Sequence, residues 1–275
     1  MESMKNPRSE SRYDLVLVYA SRLFFILLAS ISLLAIAPDS SAQEKLIVQP
    51  RRVVLTRSGR IAKEFPERKK AIVRYPIVSG LTNKSVLAKI QKLLSLKSVF
   101  ESTLEEYRRD SWLLELNYKV AYNKNYLFDI TFSQSGEGAY PDTQFKHLLI
   151  NLRTGEIVKA SDAFTPSTLT QLAAMADKKL QAEVAEIIKS VETEKDVSAE
   201  QKSSEKESLA ELKFKVEHLD DFSVSDQGIT FLFDAGFPHV IKALEPDGRY
   251  FFSYSELKSF IEPNGLLGRF INARS

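Results

Sequence analysis

The chain has 275 residues, with 38 Lys and Arg against 36 Asp and Glu, 44% hydrophobic residues and no cysteine. This much apolar surface can form a core, so neither a wholly disordered chain nor a polytopic membrane protein fits. The missing cysteine removes disulfide scaffolds, thiol nucleophiles and Cys-ligated metals, and a net charge of +2 gives no global reason to expect a nucleic-acid partner.

Leu23 to Ala37 is an apolar run of secretory length, short for the ~20 residues that span a bilayer, with small residues at Ser40 and Ala42. The pattern predicts a signal peptide over 1–42, cleaved after Ala42, in an exported protein of the periplasm or cell exterior. The alternative is an uncleaved signal that anchors the chain, which would be its only membrane contact. From Glu44 to Lys70 nine basic residues stand against three acidic ones, and 43–70 reads as a solvated basic linker or an arm for anionic polymers or headgroups.

The folded part is expected to start at Ala71, in a short strand stopped by Pro76. Thr82 or Asn83 can then cap a helix with Val86, Leu87, Ile90, Leu93 and Leu94 on one face. Two alternating runs, Trp112 to Tyr122 and Tyr126 to Phe132, predict a hairpin about Asn123-Lys124-Asn125. A glycine-rich loop, Ser135 to Pro141, leads to a third strand near 143–152 and a tight turn at Arg153 to Glu156. Thr165-Pro166 opens a long helix to about Val191, the expected cover of the sheet. Periodicity fades over 192–208, in a helix extension or mobile loop. A hairpin follows around Asp226-Gln227-Gly228, then a strand at Gly248 to Phe252 and a helix that Ser253 and Glu256 cap and Pro263 ends. From Glu183 to Asp221 twelve acidic residues face six basic ones, so the neutral chain is polarised.

Together these elements predict an α+β fold, an antiparallel meander covered by two or three helices. The parts are a helix and hairpin over 71–134, a C-terminal part over 135–262 and a tail over 263–275.

No nucleophile elbow, phosphate loop or dinucleotide fingerprint is present, and His147, His218 and His239 are scattered. The most suggestive cluster is Glu137, Tyr140, Asp142 and His147, a candidate ligand-binding set around the glycine-rich loop. Glu137 and Asp142 could also serve as paired carboxylates on a glycan. No metal or other cofactor is expected.

The stretch Glu137 to Phe164 resembles the extracytoplasmic domain shared by RsiV-type anti-sigma factors and PdaC-type peptidoglycan deacetylases. The resemblance is carried by Gly138-Ala139-Tyr140-Pro141, Asn151-Leu152-Arg153-Thr154-Gly155 and Asp162-Ala163-Phe164, and continues through Phe222 to Phe237 and Tyr250 to Ile261. It implies an α/β module outside the membrane, which binds lysozyme in the first group and accompanies a separate catalytic domain in the second. No deacetylase metal motif is recognisable here. The expectation is a non-catalytic envelope binding module for a lysozyme-like protein or peptidoglycan, the acidic segment steering a cationic protein. A glycan-active hydrolase using Glu137 and Asp142 is the alternative.

Overall fold

The computed structural model describes residues 45–272, which lie in one compact unit. The expected signal peptide lies outside the described residues.

Six strands form the main sheet in chain order: β1 (Ile47–Thr56), β2 (Lys70–Ser79), β3 (Leu113–Lys124), β4 (Leu127–Glu137), β5 (Pro141–Asn151) and β6 (Glu156–Ile157). All neighbours are antiparallel except β2 and β3. A parallel pair needs a crossover, and three helices supply it: Lys84–Leu93, Leu96–Phe100 and Leu104–Arg109. Asn83 caps the first through its side chain, and Thr103 with Glu106 forms a capping box on the third. A second sheet contains β7 (Phe222–Val224), β8 (Gly228–Leu232) and β9 (Arg249–Ser253). The predicted α+β class, with its meander, helical cover and long helix, is the observed one.

Within the basic linker expected over 43–70, the described residues instead form an edge strand and part of the core. β1 pairs along its whole length with β2, and Pro50 lies opposite Pro76. Antiparallel pairs alternate between hydrogen-bonded and non-bonded positions, and two residues without N–H groups fit the second kind, so β2 runs through Pro76 to Ser79. Arg51, Arg52 and Pro50 on the exposed edge discourage further pairing. Arg57 is buried, and donates from Nη1 to Arg68 O at 2.7 Å and from Nη2 to Tyr107 O and Leu113 O at 3.0 and 2.8 Å. This guanidinium ties the end of β1 to the crossover and to the start of β3.

Several boundaries move for local reasons. The β3–β4 turn is Asn125-Tyr126, both residues at φ near +60°, a two-residue connection that follows strand twist. β4 continues through Ser135, Gly136 and Glu137, so the loop shrinks to Gly138-Ala139-Tyr140. Gly136 is needed there because a Cβ would lie 2.4 Å from the Trp112 ring. Thr165 begins a short 3-10 turn without a side-chain cap, and the long helix runs Leu169–Thr193. The faded segment holds its own helix, Ala199–Ala210, capped by Ser198. The Ser253 box caps only Tyr254–Leu257, which ends before Pro263 because Ile261 bridges to Phe164. The expected tail includes a helix, Gly268–Asn272, with Leu267 fully buried beside it.

The Lys84–Leu93 helix packs Val86, Leu87 and Ile90 against Phe128, Ile130, Phe132 and Ile150, covering one face of the meander. Leu172, Ala176, Leu180 and Val184 of the long helix belong to a second core with Phe222, Phe231 and Phe252 of the smaller sheet and Leu127 and Leu149 of the meander. The two sheets thus share one apolar layer, beside which a polar joint forms.

Candidate functional site

On β4 the odd-numbered residues from Asp129 to Glu137 share one face, together with their partners Leu149, His147, Phe145, Thr143 and Pro141 on β5. The smaller sheet covers the lower end of this face and leaves the upper end open.

Asp129 sits in the covered part and is fully buried. Its Oδ2 accepts from Ser223 Oγ at 2.7 Å and from the Val224 N–H at 2.9 Å, so it fastens β4 to β7. His147 lies beside it with a 6% exposed side chain, Nε2 3.1 Å from Asp129 Oδ1 and Nδ1 2.6 Å from Asp221 Oδ1. Burial is the largest single influence and alone would lower the imidazole pKa. The hydrogen bonds and charges of Asp129 and Asp221 outweigh it and raise the pKa to about 9. His147 is therefore a doubly protonated strut at neutral pH, donating from both nitrogens and holding no lone pair for a substrate or a metal. A second strut joins the sheets at the turns, where Tyr122 Oη donates to Asp226 at 3.2 Å and Lys124 Nζ approaches the same carboxylate.

The other three candidates lie at the far end of the hairpin. Glu137, the last residue of β4, has Arg68 Nη2 at 3.8 Å from its carboxylate, and Arg68 also donates to Gly138 O at 3.3 Å. Tyr140 stacks on His239, ring centroids 4.3 Å apart. Asp142 is 3.9 Å from Lys242 Nζ. His147 is five residues further along β5, about 17 Å away, so the expected quartet divides into a tip of three residues and a separate joint. Asp142 pairs with Gly136 while Glu137 pairs with Pro141, which puts the two carboxylates on opposite faces of the ribbon. They do not flank a common point where a glycosidic bond could sit.

Apolar residues are exposed along the hairpin. Tyr140 at the tip is 61% exposed and Val240, next to its stacking partner His239, 86%; Phe145, midway along β5 towards His147, is 66% exposed, and Phe65, beneath the Arg68 guanidinium at 4.8 Å, is also exposed. Below the tip, a groove of about 380 Å³ runs beside β5, its lining including Leu149, Phe233, Glu217, Asp221 and Asp234. Another cleft, of about 350 Å³, includes Arg153 and Arg269, whose guanidinium carbons lie 4.2 and 5.7 Å from the centroid of the Tyr126 ring.

No family model matches the chain, and no curated protein matches it. Solved structures do. The chain shares the fold of a DUF3298-family protein. That crystal structure, from Bacteroides fragilis, aligns with a TM-score of 0.53 over 83% of this chain and 98% of the other, at 13% identity. A DUF3298-family protein of Pseudomonas aeruginosa aligns with a TM-score of 0.47 over 80% and 95% of the two chains, at 15% identity.

Asp129, Asp221, Ser223 and His239 were not among the sequence candidates. Asp129 falls on the polar phase of the Phe128, Ile130, Phe132 alternation, which ordinarily means a solvent-facing residue. Only the second sheet, remote in sequence, turns that face into an interior.

Proposed function

We propose that this chain is an exported, non-catalytic binding module of the cell envelope whose ligand is a cationic protein of the lysozyme type. The observation that carries the reading is the β4–β5 hairpin, where Tyr140 and Val240 at the tip and Phe145 further along β5 stand exposed and an acidic groove lies beside β5. Aromatic residues at the centre of a patch supply much of the binding energy in protein interfaces, and an acidic rim speeds encounter with a basic partner. The RsiV-type resemblance of 137–164 points to the same class of ligand, and the apolar run at Leu23 to Ala37 supports export. The division of Glu137 and Asp142 between opposite faces weighs against the hydrolase alternative.

The test is titration of the full chain with hen egg-white lysozyme at low salt, followed by light scattering or calorimetry, with purified muropeptides in parallel. Saturable lysozyme binding that weakens in Tyr140→Ala and with added salt supports the reading. Lack of binding, or muropeptide turnover abolished by Glu137→Gln, overturns it.

A further inference from the structure

β5 is an internal strand only at its end. β6 pairs with it at Ile150 and Asn151, and among the described residues no strand pairs with the opposite edge of Pro141 to Leu148. The direction of the free groups follows from one bond. The Val158 N–H donates to Leu149 O at 2.8 Å, so the backbone of Leu149 faces away from β4. The β4–β5 register runs without a shift from Leu127 to Glu137, and alternation therefore turns the N–H and C=O of His147, Phe145 and Thr143 outward as well. Three residues present a ready ladder about 14 Å long.

This edge is shaped as a slot rather than an open flank. At one end it enters the 380 Å³ groove, whose lining includes Glu217, Asp220, Asp221 and Asp234. At the other end Tyr140 stacks on His239 and Lys242 approaches Asp142, which closes the slot off. Four carboxylates line the groove against the single imidazolium of His147, a net of −3. Lys215 sits near Glu217 at 3.8 Å, but both side chains are more than half exposed and water screens that pair. Leu149 and Phe233 add apolar surface to the groove for a side chain of an extended segment.

From this geometry we infer that β5 takes up an extended, Lys- or Arg-bearing peptide segment of the partner protein as an added strand, with the outward groups of Thr143, Phe145 and His147 forming the ladder. Main-chain bonds provide affinity and the acidic walls select basic side chains. The inference rests on the binding-module reading and specifies how the partner is held.

The probe is a fluorescent peptide alternating Lys and Val, titrated into the full chain at low salt. Saturable binding is expected, with none for the Glu and Val counterpart. N-methylation of every second residue, in the frame that faces the protein, should weaken binding by at least about tenfold, because each lost hydrogen bond contributes about 1 kcal/mol. Phe145→Pro should do the same: its N–H points outward, so proline removes an edge donor without breaking a bond to β4. Glu217→Lys with Asp234→Lys tests the walls without touching the backbone and should also weaken binding. Equal binding of the N-methylated and parent peptides, or of a folded Phe145→Pro variant and the wild type, overturns strand addition. If lysozyme still binds in that case, the binding-module reading survives; if neither lysozyme nor peptide binds, both fail.

Discussion

The Asp129–His147–Asp221 joint makes stability depend on alkaline pH in a way that can be worked out. Folding raises the His147 pKa from an ordinary 6.5 to about 9. A group whose folded pKa is raised contributes its full stabilisation below the unfolded value and loses it as pH rises through the folded one. The difference of about 2.5 pKa units corresponds to about 3 kcal/mol, present at pH 6 and lost progressively between pH 6.5 and about 9. Urea unfolding of wild type and of His147→Gln from pH 6 to 10, with other titrations cancelling between them, isolates the effect. The wild type should lose about 3 kcal/mol relative to the variant across that window. At pH 6 the variant itself should be less stable by about 3–5 kcal/mol, since buried Asp129 loses its cationic partner and keeps only neutral donors such as Ser223 and Val224. An NMR titration that puts the His147 pKa near 6.5, or parallel stability curves for the two proteins, would refute the reasoning.

Other outcomes follow from single contacts. Gly136→Ala should destabilise by about 1–3 kcal/mol because its methyl group meets the Trp112 ring and carbonyl, whereas Gly138→Ala, with the nearest atom at 3.6 Å, should stay within about 0.5 kcal/mol in the same denaturation assay. Arg57→Met should cost about 3 kcal/mol or more in thermal or urea unfolding, and Arg57→Lys should recover little, because one ammonium lacks the fork that spans three carbonyls. Tyr140→Ala should change stability by less than about 1 kcal/mol while weakening lysozyme binding, as expected for a ring that is 61% exposed.

Much of the architecture was legible because it follows local periodicity. The alternation through Leu116, Tyr118 and Val120, the spacing of Leu172, Ala176 and Leu180, and the Ser253–Glu256 box each became the element they predict. What escaped depends on partners distant in the chain. Ile47 to Thr56 is interrupted by Pro50-Arg51-Arg52 and does not read as a strand by itself; it becomes one because β2 lies alongside. Arg57 looked like one more cation in a basic run; its three carbonyl acceptors come from residues 11 to 56 positions away. The candidate site divided for a similar reason. Glu137 and Asp142 are close in sequence, but the hairpin register, with Glu137 opposite Pro141 and Asp142 opposite Gly136, puts them on opposite faces, while His147 was drawn into the interior by carboxylates 18 and 74 residues distant.

The central claim is that the exposed β4–β5 hairpin, from Tyr140 at its tip to Phe145 on β5, is a docking surface for a cationic protein. Calorimetric titration of the full chain with lysozyme, comparing wild type with Tyr140→Ala/Phe145→Ser, tests it most directly. The account predicts saturable binding by the wild type and a loss of at least about tenfold in the variant at unchanged thermal stability. Equal affinity of the two proteins, or no binding by either, would contradict it.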